Sequence, residues 1–183
     1  MFLRVVLVCE TCPLLVNHQL RVYKAAQEKA TLMIIDEILK LKKETDTVVL
    51  AHYYEDGSVQ DLADFVGDSF QLSKFAQTIK APNILFCGVY FMAESVKILN
   101  PTKKVFVPDL EASCSLVEQS PFDDYLSWRR QYPKALAVTY INSSAKVKSI
   151  SDVIITSSNA EQIINTIPPD REILFGPDQH LGK

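Results

Sequence analysis

From Thr47 to Gly176 the chain alternates short apolar runs with amphipathic segments, and this alternation leaves it few folds to choose from. Runs of strand length fall at 47–51, 64–67, 83–88, 104–107, 135–140, 152–156 and 172–176, and segments of helix length centre on 70–80, 91–99, 115–131 and 159–166. Strand and helix in alternation imply parallel sheets, because successive parallel strands need a crossover long enough to hold a helix. Pro82, Pro101, Pro133 and Pro168-Pro169 lie between the segments, where a missing amide proton costs least. Upstream, Lys24 to Glu44 reads as a helix with Leu32, Ile35, Ile38, Leu39 and Leu41 near one face.

The sequence also repeats. Tyr140 lies 88 residues after His52, and the same shift pairs Tyr54 with Asn142, Val59 with Val147, Asp64 with Asp152 and Ser69 with Ser157. One residue further, Ile84-Leu85-Phe86 meets Ile173-Leu174-Phe175. The matches include polar strand ends as well as core positions. The expected fold class is therefore α/β, built from repeated small parallel-sheet units flanked by helices. Residues 1–33 are expected to be an appendage, with Met33 a candidate start, followed by a first unit at 34–101 and a second at 102–183. Extending the shift places a counterpart of Cys114 at about position 202, so the second unit is expected to be incomplete at Lys183.

The stretch Val48–Ser69, VVLAHYYEDGSVQDLADFVGDS, places polar chemistry where two strands stop. In open α/β sheets, ligands bind outside the carboxyl ends of strands. His52 ends an apolar run and precedes two tyrosines, so an imidazole and a phenol can share a pocket and act as donor or acid/base. A strand-capping His is the plainer reading. Ser69, in Gly67-Asp68-Ser69, and Ser157, in Thr156-Ser157-Ser158-Asn159, each follow a strand and precede a helix. They suit a carboxylate or phosphate, or serve simply as N-caps.

Cys114 follows the run at 104–107 and precedes a helix, a position suited to nucleophilic attack or soft-metal ligation, or to a buried thiol. Cys87 lies inside an apolar run and reads as core. Cys9 and Cys12 form a C-x-x-C in the appendage, with no second pair or suitably spaced His to complete a zinc site. Glu94 reads as a helix-surface carboxylate. No G-x-G-x-x-G or Walker A loop is present.

A net charge of -3 and no basic cluster interleaved with aromatics argue against nucleic acid. No apolar run approaches the roughly 18 residues of a membrane span. The expectation is a cytoplasmic protein acting on a small molecule, without a disulfide scaffold.

Taken together, AHYY (51–54), VQDLADFVGDS (59–69), GVYFMAESVKILNP (88–101), PDLEASCSL (108–116), TYINSSAKVK (139–148), TSSNA (156–160) and GPDQHLGK (176–183) resemble the quinolinate synthase family. The resemblance implies three pseudo-symmetric α/β units with the active site where they meet, the third unit being absent here. It implies condensation of iminoaspartate with dihydroxyacetone phosphate to quinolinate in de novo NAD biosynthesis, with an L-aspartate oxidase as candidate supplier of iminoaspartate. It also implies a [4Fe-4S] cluster held by three cysteines, whose open iron is a Lewis acid toward substrate. By this similarity Cys114 is the first cluster ligand, and the other two lie beyond Lys183, so the chain alone is expected to hold the cluster poorly. His52 and Tyr54 match substrate-binding and acid/base positions, Tyr140 and Asn142 match the equivalent pair, and Ser69 and Ser157 match hydroxyls that bind anionic groups. Ser113 stands where the family usually has Gly, and Glu55 where it usually has a Gln-type residue. The other reading is a non-catalytic fragment that binds dicarboxylate or phosphate without iron chemistry.

Overall fold

Between Leu14 and Glu44 the chain has neither Pro nor Gly, and in the computed structural model, which describes residues 13–178 and 180–182, it forms one helix, α1 (Pro13–Glu44). Proline fits the first helical position, where its missing amide proton would have had no partner. The helix starts eleven residues before the expected Lys24, and the expected boundary after residue 33 falls inside it. Of its anticipated apolar face, Ile35 and Ile38 are half-buried while Leu32, Leu39 and Leu41 are exposed. Two compact units divide the chain, one ending at Glu44 and one beginning at Thr45.

The second unit is α/β, with two parallel sheets flanked by helices. In chain order its elements are β1 (Thr47–His52), α2 (Gly57–Gln60), β2 (Phe65–Gly67), α3 (Ser69–Ala76), β3 (Asn83–Cys87), α4 (Tyr90–Leu99) and β4 (Lys104–Phe106), then α5 (Ser115–Glu118), α6 (Phe122–Gln131), β5 (Leu136–Tyr140), α7 (Ala145–Lys148), β6 (Val153–Ile155), α8 (Ala160–Ile164) and β7 (Ile173–Gly176). The first sheet has the order β2-β1-β3-β4 and the second β6-β5-β7. Because β4 pairs with β3, the first sheet runs past the expected boundary at residue 101.

Both faces of the first sheet are covered, which is why its strands read as continuous apolar runs. Alternate residues of β1 serve opposite faces. Leu50 joins Ile84, Phe86, Leu72, Ala76, Phe91, Met92 and Val96 under α3 and α4, while Val49 and Ala51 meet Cys87 on the other side. Leu50 is fully buried, and its truncation to Ala would cost about 2–5 kcal/mol. In the second sheet, Val138 and Ile155 pack with Ala160, Ile163 and Ile164. On its other side Tyr125 of α6 shares a 2.6 Å hydrogen bond with Thr139.

The repeat is reproduced in the register. His52 pairs with Gly67 and Tyr140 with Ile155, while Val48 pairs with Ile84 and Leu136 with Ile173. Asp64 and Asp152 make the same strand bond: Asp64 Oδ2 accepts the Val49 amide at 2.8 Å, and Asp152 Oδ2, which also pairs with Arg129 at 2.9 Å, accepts the Ala137 amide at 2.7 Å. Their own amides donate back to the carbonyls of Val49 and Ala137.

Two expectations about helices change. The segment 115–131 is split into α5 and α6, with Pro121 at the N-cap of the second, because proline bars a continuous helix there. One-turn helices α2 and α7 occupy equivalent stretches where the apolar pattern places no element.

Candidate functional site

The chain leaves β1 for β2 on one side and returns as β3 on the other, so the carboxyl ends of β1 and β3 border a crevice where the order reverses. His52 sits there, 4% exposed. Its ring lies 3.8 Å from that of Tyr54 and 4.5 Å from that of Tyr53, centroid to centroid. Burial pushes the imidazole pKa down, with Asp68 opposing it, which favours a neutral ring. The Tyr54 hydroxyl accepts the Val89 amide at 3.2 Å, and burial raises its pKa, keeping the phenol protonated. Gly88 lets the backbone pass close to Phe86 and His52: a Cβ there would stand 2.7 Å from the Phe86 ring and 3.5 Å from the His52 Cβ.

Ser69 is not a helix cap. Asp68 caps α3, accepting the Gln71 amide at 2.8 Å while Gln71 Oε1 accepts the Asp68 amide at 3.0 Å. The Ser69 hydroxyl donates to Met92 Sδ at 3.5 Å, a weak bond that a ligand oxygen can replace. Ser157 is not a cap either, since Asn159 holds that position in α8 and its Oδ1 accepts the Thr156 amide at 2.7 Å.

At the end of β5, burial raises the Tyr140 pKa, with the Ser157 hydroxyl opposing it. Asn142, two residues on, donates from Nδ2 to Cys114 Sγ at 3.8 Å. Cys114 is half-buried at the N-cap of α5. Its loop is tied to the first sheet by the Tyr90 amide, which donates to the Ala112 carbonyl at 2.8 Å. Cys114 also packs against the core of the first sheet. The two repeat-related strand ends therefore converge on one thiol.

Ser113 fits its turn. Asp46 is the only non-glycine with positive φ among the described residues, so the backbone at 113 makes no demand for glycine. Cys87 is core as expected, its thiol pKa pushed up to about 11 by burial.

Two side chains escaped the sequence reading. Glu94 is not a surface carboxylate: its Oε2 accepts the Ala145 amide at 2.8 Å, joining α4 of the first sheet to α7 of the second. Lys148 Nζ donates to the Ser143 carbonyl at 2.6 Å and lies 5.2 Å from the Phe91 ring centroid. Burial brings its pKa down to about 8, against the pull of Glu94. Lys148 also lines a cleft of about 460 Å³ with Ser95, Ile98, Ile141, Thr156 and Asn159. Only the repeat hinted at Lys148, which stands where the first copy has Gln60.

Among the described residues no three His, Cys, Asp or Glu side chains come together as a metal site. Cys9 and Cys12 lie outside them. One thiol does not fit a [4Fe-4S] cluster by itself. No helix among the described residues is long and apolar enough to cross a membrane.

The family model for quinolinate synthetase A protein matches residues 36–183. Quinolinate synthase of Ehrlichia chaffeensis is 49% identical over 156 residues, covering 85% of this chain and 50% of the relative. Those of Prochlorococcus marinus strain MIT 9313 and Thermosynechococcus vestitus are 51% and 47% identical, over 80% and 87% of this chain and 44% and 50% of the relatives. The chain thus spans about half the length of the curated relatives it matches. Since the matched stretch carries the whole two-sheet unit and both strand ends that meet at Cys114, the chain belongs to the quinolinate synthase family.

Proposed function

We propose that this chain supplies two substrate-facing surfaces of a quinolinate synthase, which condenses iminoaspartate with dihydroxyacetone phosphate to quinolinate with loss of phosphate and water. The observation that carries the reading is that Cys114 packs against the core of the first sheet while Asn142, at the second strand end, reaches its sulfur at 3.8 Å. Ser69 and Ser157 bind carboxylate or phosphate oxygens, with His52, Tyr140 and Asn142 completing the polar lining. Each loss of water needs a proton for the departing hydroxyl and a base for the neighbouring C–H. The phenols of Tyr54 and Tyr140, kept protonated by burial, suit the first task, and the neutral His52 imidazole suits the second. Cys114 is the thiol we assign to the family's [4Fe-4S] cluster, which would supply a Lewis acid toward substrate when bound.

The product places the protein in de novo NAD biosynthesis, with a cytoplasmic setting and an L-aspartate oxidase as the source of iminoaspartate. The presence of one thiol at the site among the described residues favours a second reading for the chain alone, binding of a dicarboxylate or phosphate without turnover. Anaerobic reconstitution with iron and sulfide, followed by a quinolinate assay and calorimetric titration with malate and inorganic phosphate, separates the two. Quinolinate formation supports the first reading, saturable binding without turnover the second, and neither signal contradicts both.

A further inference from the structure

The loop from Ile141 to Ser144 carries Asn142 to Cys114, and it does so with the Ser143 hydroxyl buried and without a hydrogen-bond partner. A buried polar group left unpartnered disfavours the conformation that buries it. Two side chains hold the loop in place nonetheless. Glu94 accepts the Ala145 amide at its far end, and Lys148 Nζ donates to the Ser143 carbonyl within it. Glu94 and Phe91, the ring beneath the Lys148 ammonium, are neighbours one turn apart on α4. A loop of the second repeat is thus gripped by a helix of the first.

We propose that Glu94 and Lys148 are positioning residues, a latch between the repeats that fixes Asn142 against Cys114 and so sets the spacing of the two strand ends. The proposal rests on the reading of those ends as one active site. The first repeat shows what is special about the second. There Gln60 Nε2 donates to the Glu55 carbonyl at 2.7 Å, the same bond at the same place that Lys148 makes to Ser143. An amide is therefore enough to hold the loop within its own repeat. A cation at that position adds a contact with the Phe91 face and attraction toward the Glu94 carboxylate, both on the other repeat.

The test is the rate at which iodoacetamide labels Cys114 in the 183-residue chain, resolved by mass spectrometry, with the buried Cys87 as internal reference. Asn142→Ala sets the scale, changing the Cys114 rate about fivefold, as expected for one ordinary hydrogen bond. Glu94→Ala and Lys148→Met should reproduce that change in the same direction while Cys87 stays unaltered. Lys148→Gln should fall between the wild type and Lys148→Met, because glutamine can keep the bond to the Ser143 carbonyl, as Gln60 does in the first repeat, but loses the cation over Phe91. The latch is overturned if Asn142→Ala has no effect, if Glu94→Ala and Lys148→Met match the wild type, or if Lys148→Gln is indistinguishable from the wild type. A Cys87 rate that rises in step with Cys114 also overturns it, since that marks general loosening. Labelling requires no turnover, so a negative quinolinate assay counts against the proposed function and leaves the latch to be judged by these rates.

Discussion

The two sheets share a backbone plan and differ in what they do with their strand ends. In the first, His52 is buried against its own neighbours Tyr53 and Tyr54, and Gln60 secures the following loop to the carbonyls of Tyr53 and Glu55. In the second, Asn142 reaches Cys114, and the loop is held by Glu94 from the other repeat. The first end is self-contained and built around a neutral imidazole, while the second depends on the first for its geometry. A duplicated scaffold has supplied equivalent positions, and side-chain divergence has turned one of them toward its twin.

The sharpest test of this contrast is at the thiol between the ends. In a protein of the relatives' full length that carries this stretch, Cys114→Ala should abolish quinolinate formation, whereas Cys87→Ala, a core change beside β1, should leave turnover measurable. Equal loss in both would mean that Cys114 acts through packing alone.

The aspartates probe what the repeats share. Asp64→Ala and Asp152→Ala each strip a strand amide of its acceptor, and each should lower the unfolding free energy by about 1–3 kcal/mol in denaturant titrations. A cost near zero in one copy would break the equivalence. A smaller effect separates the copies by pH. Burial raises the Cys87 pKa from 9.0 to about 11, so its contribution to stability is present below pH 9 and declines as the pH rises through 11. Burial lowers the Lys148 pKa from 10.5 to about 8, so the unfolded chain binds the extra proton between these values and stability rises with pH in that window. Against wild type, Lys148→Met should remove the rising component and Cys87→Ala the falling one. Opposite slopes would invert both assignments. The smallest change expected is a gain of about 1 kcal/mol for Ser143→Ala, which deletes a buried hydroxyl lacking a partner.

The sheets were legible in the sequence because buried parallel strands are written as unbroken apolar runs, such as Val48 to Ala51 and Ile84 to Cys87. The repeat was legible for a related reason. Asp64 and Asp152 are conspicuous polar residues beside strands, and both are required by the same pair of strand hydrogen bonds. The single-turn helices α2 and α7 were not, since four residues are too few to display a helical period. Nor was the break at Pro121, where the apolar and aromatic spacing continued across a residue that halts the backbone. Glu94 looked like any helix carboxylate, because its partner is 51 residues away and is a backbone amide with no signature of its own.

The central claim is that two strand ends form one site. Calorimetric titration with malate, on the wild-type protein and on Tyr54→Phe and Tyr140→Phe, tests it most directly. The account predicts one equivalent bound per chain, weakened by either substitution. Two independent equivalents, each sensitive to only one tyrosine, would contradict it.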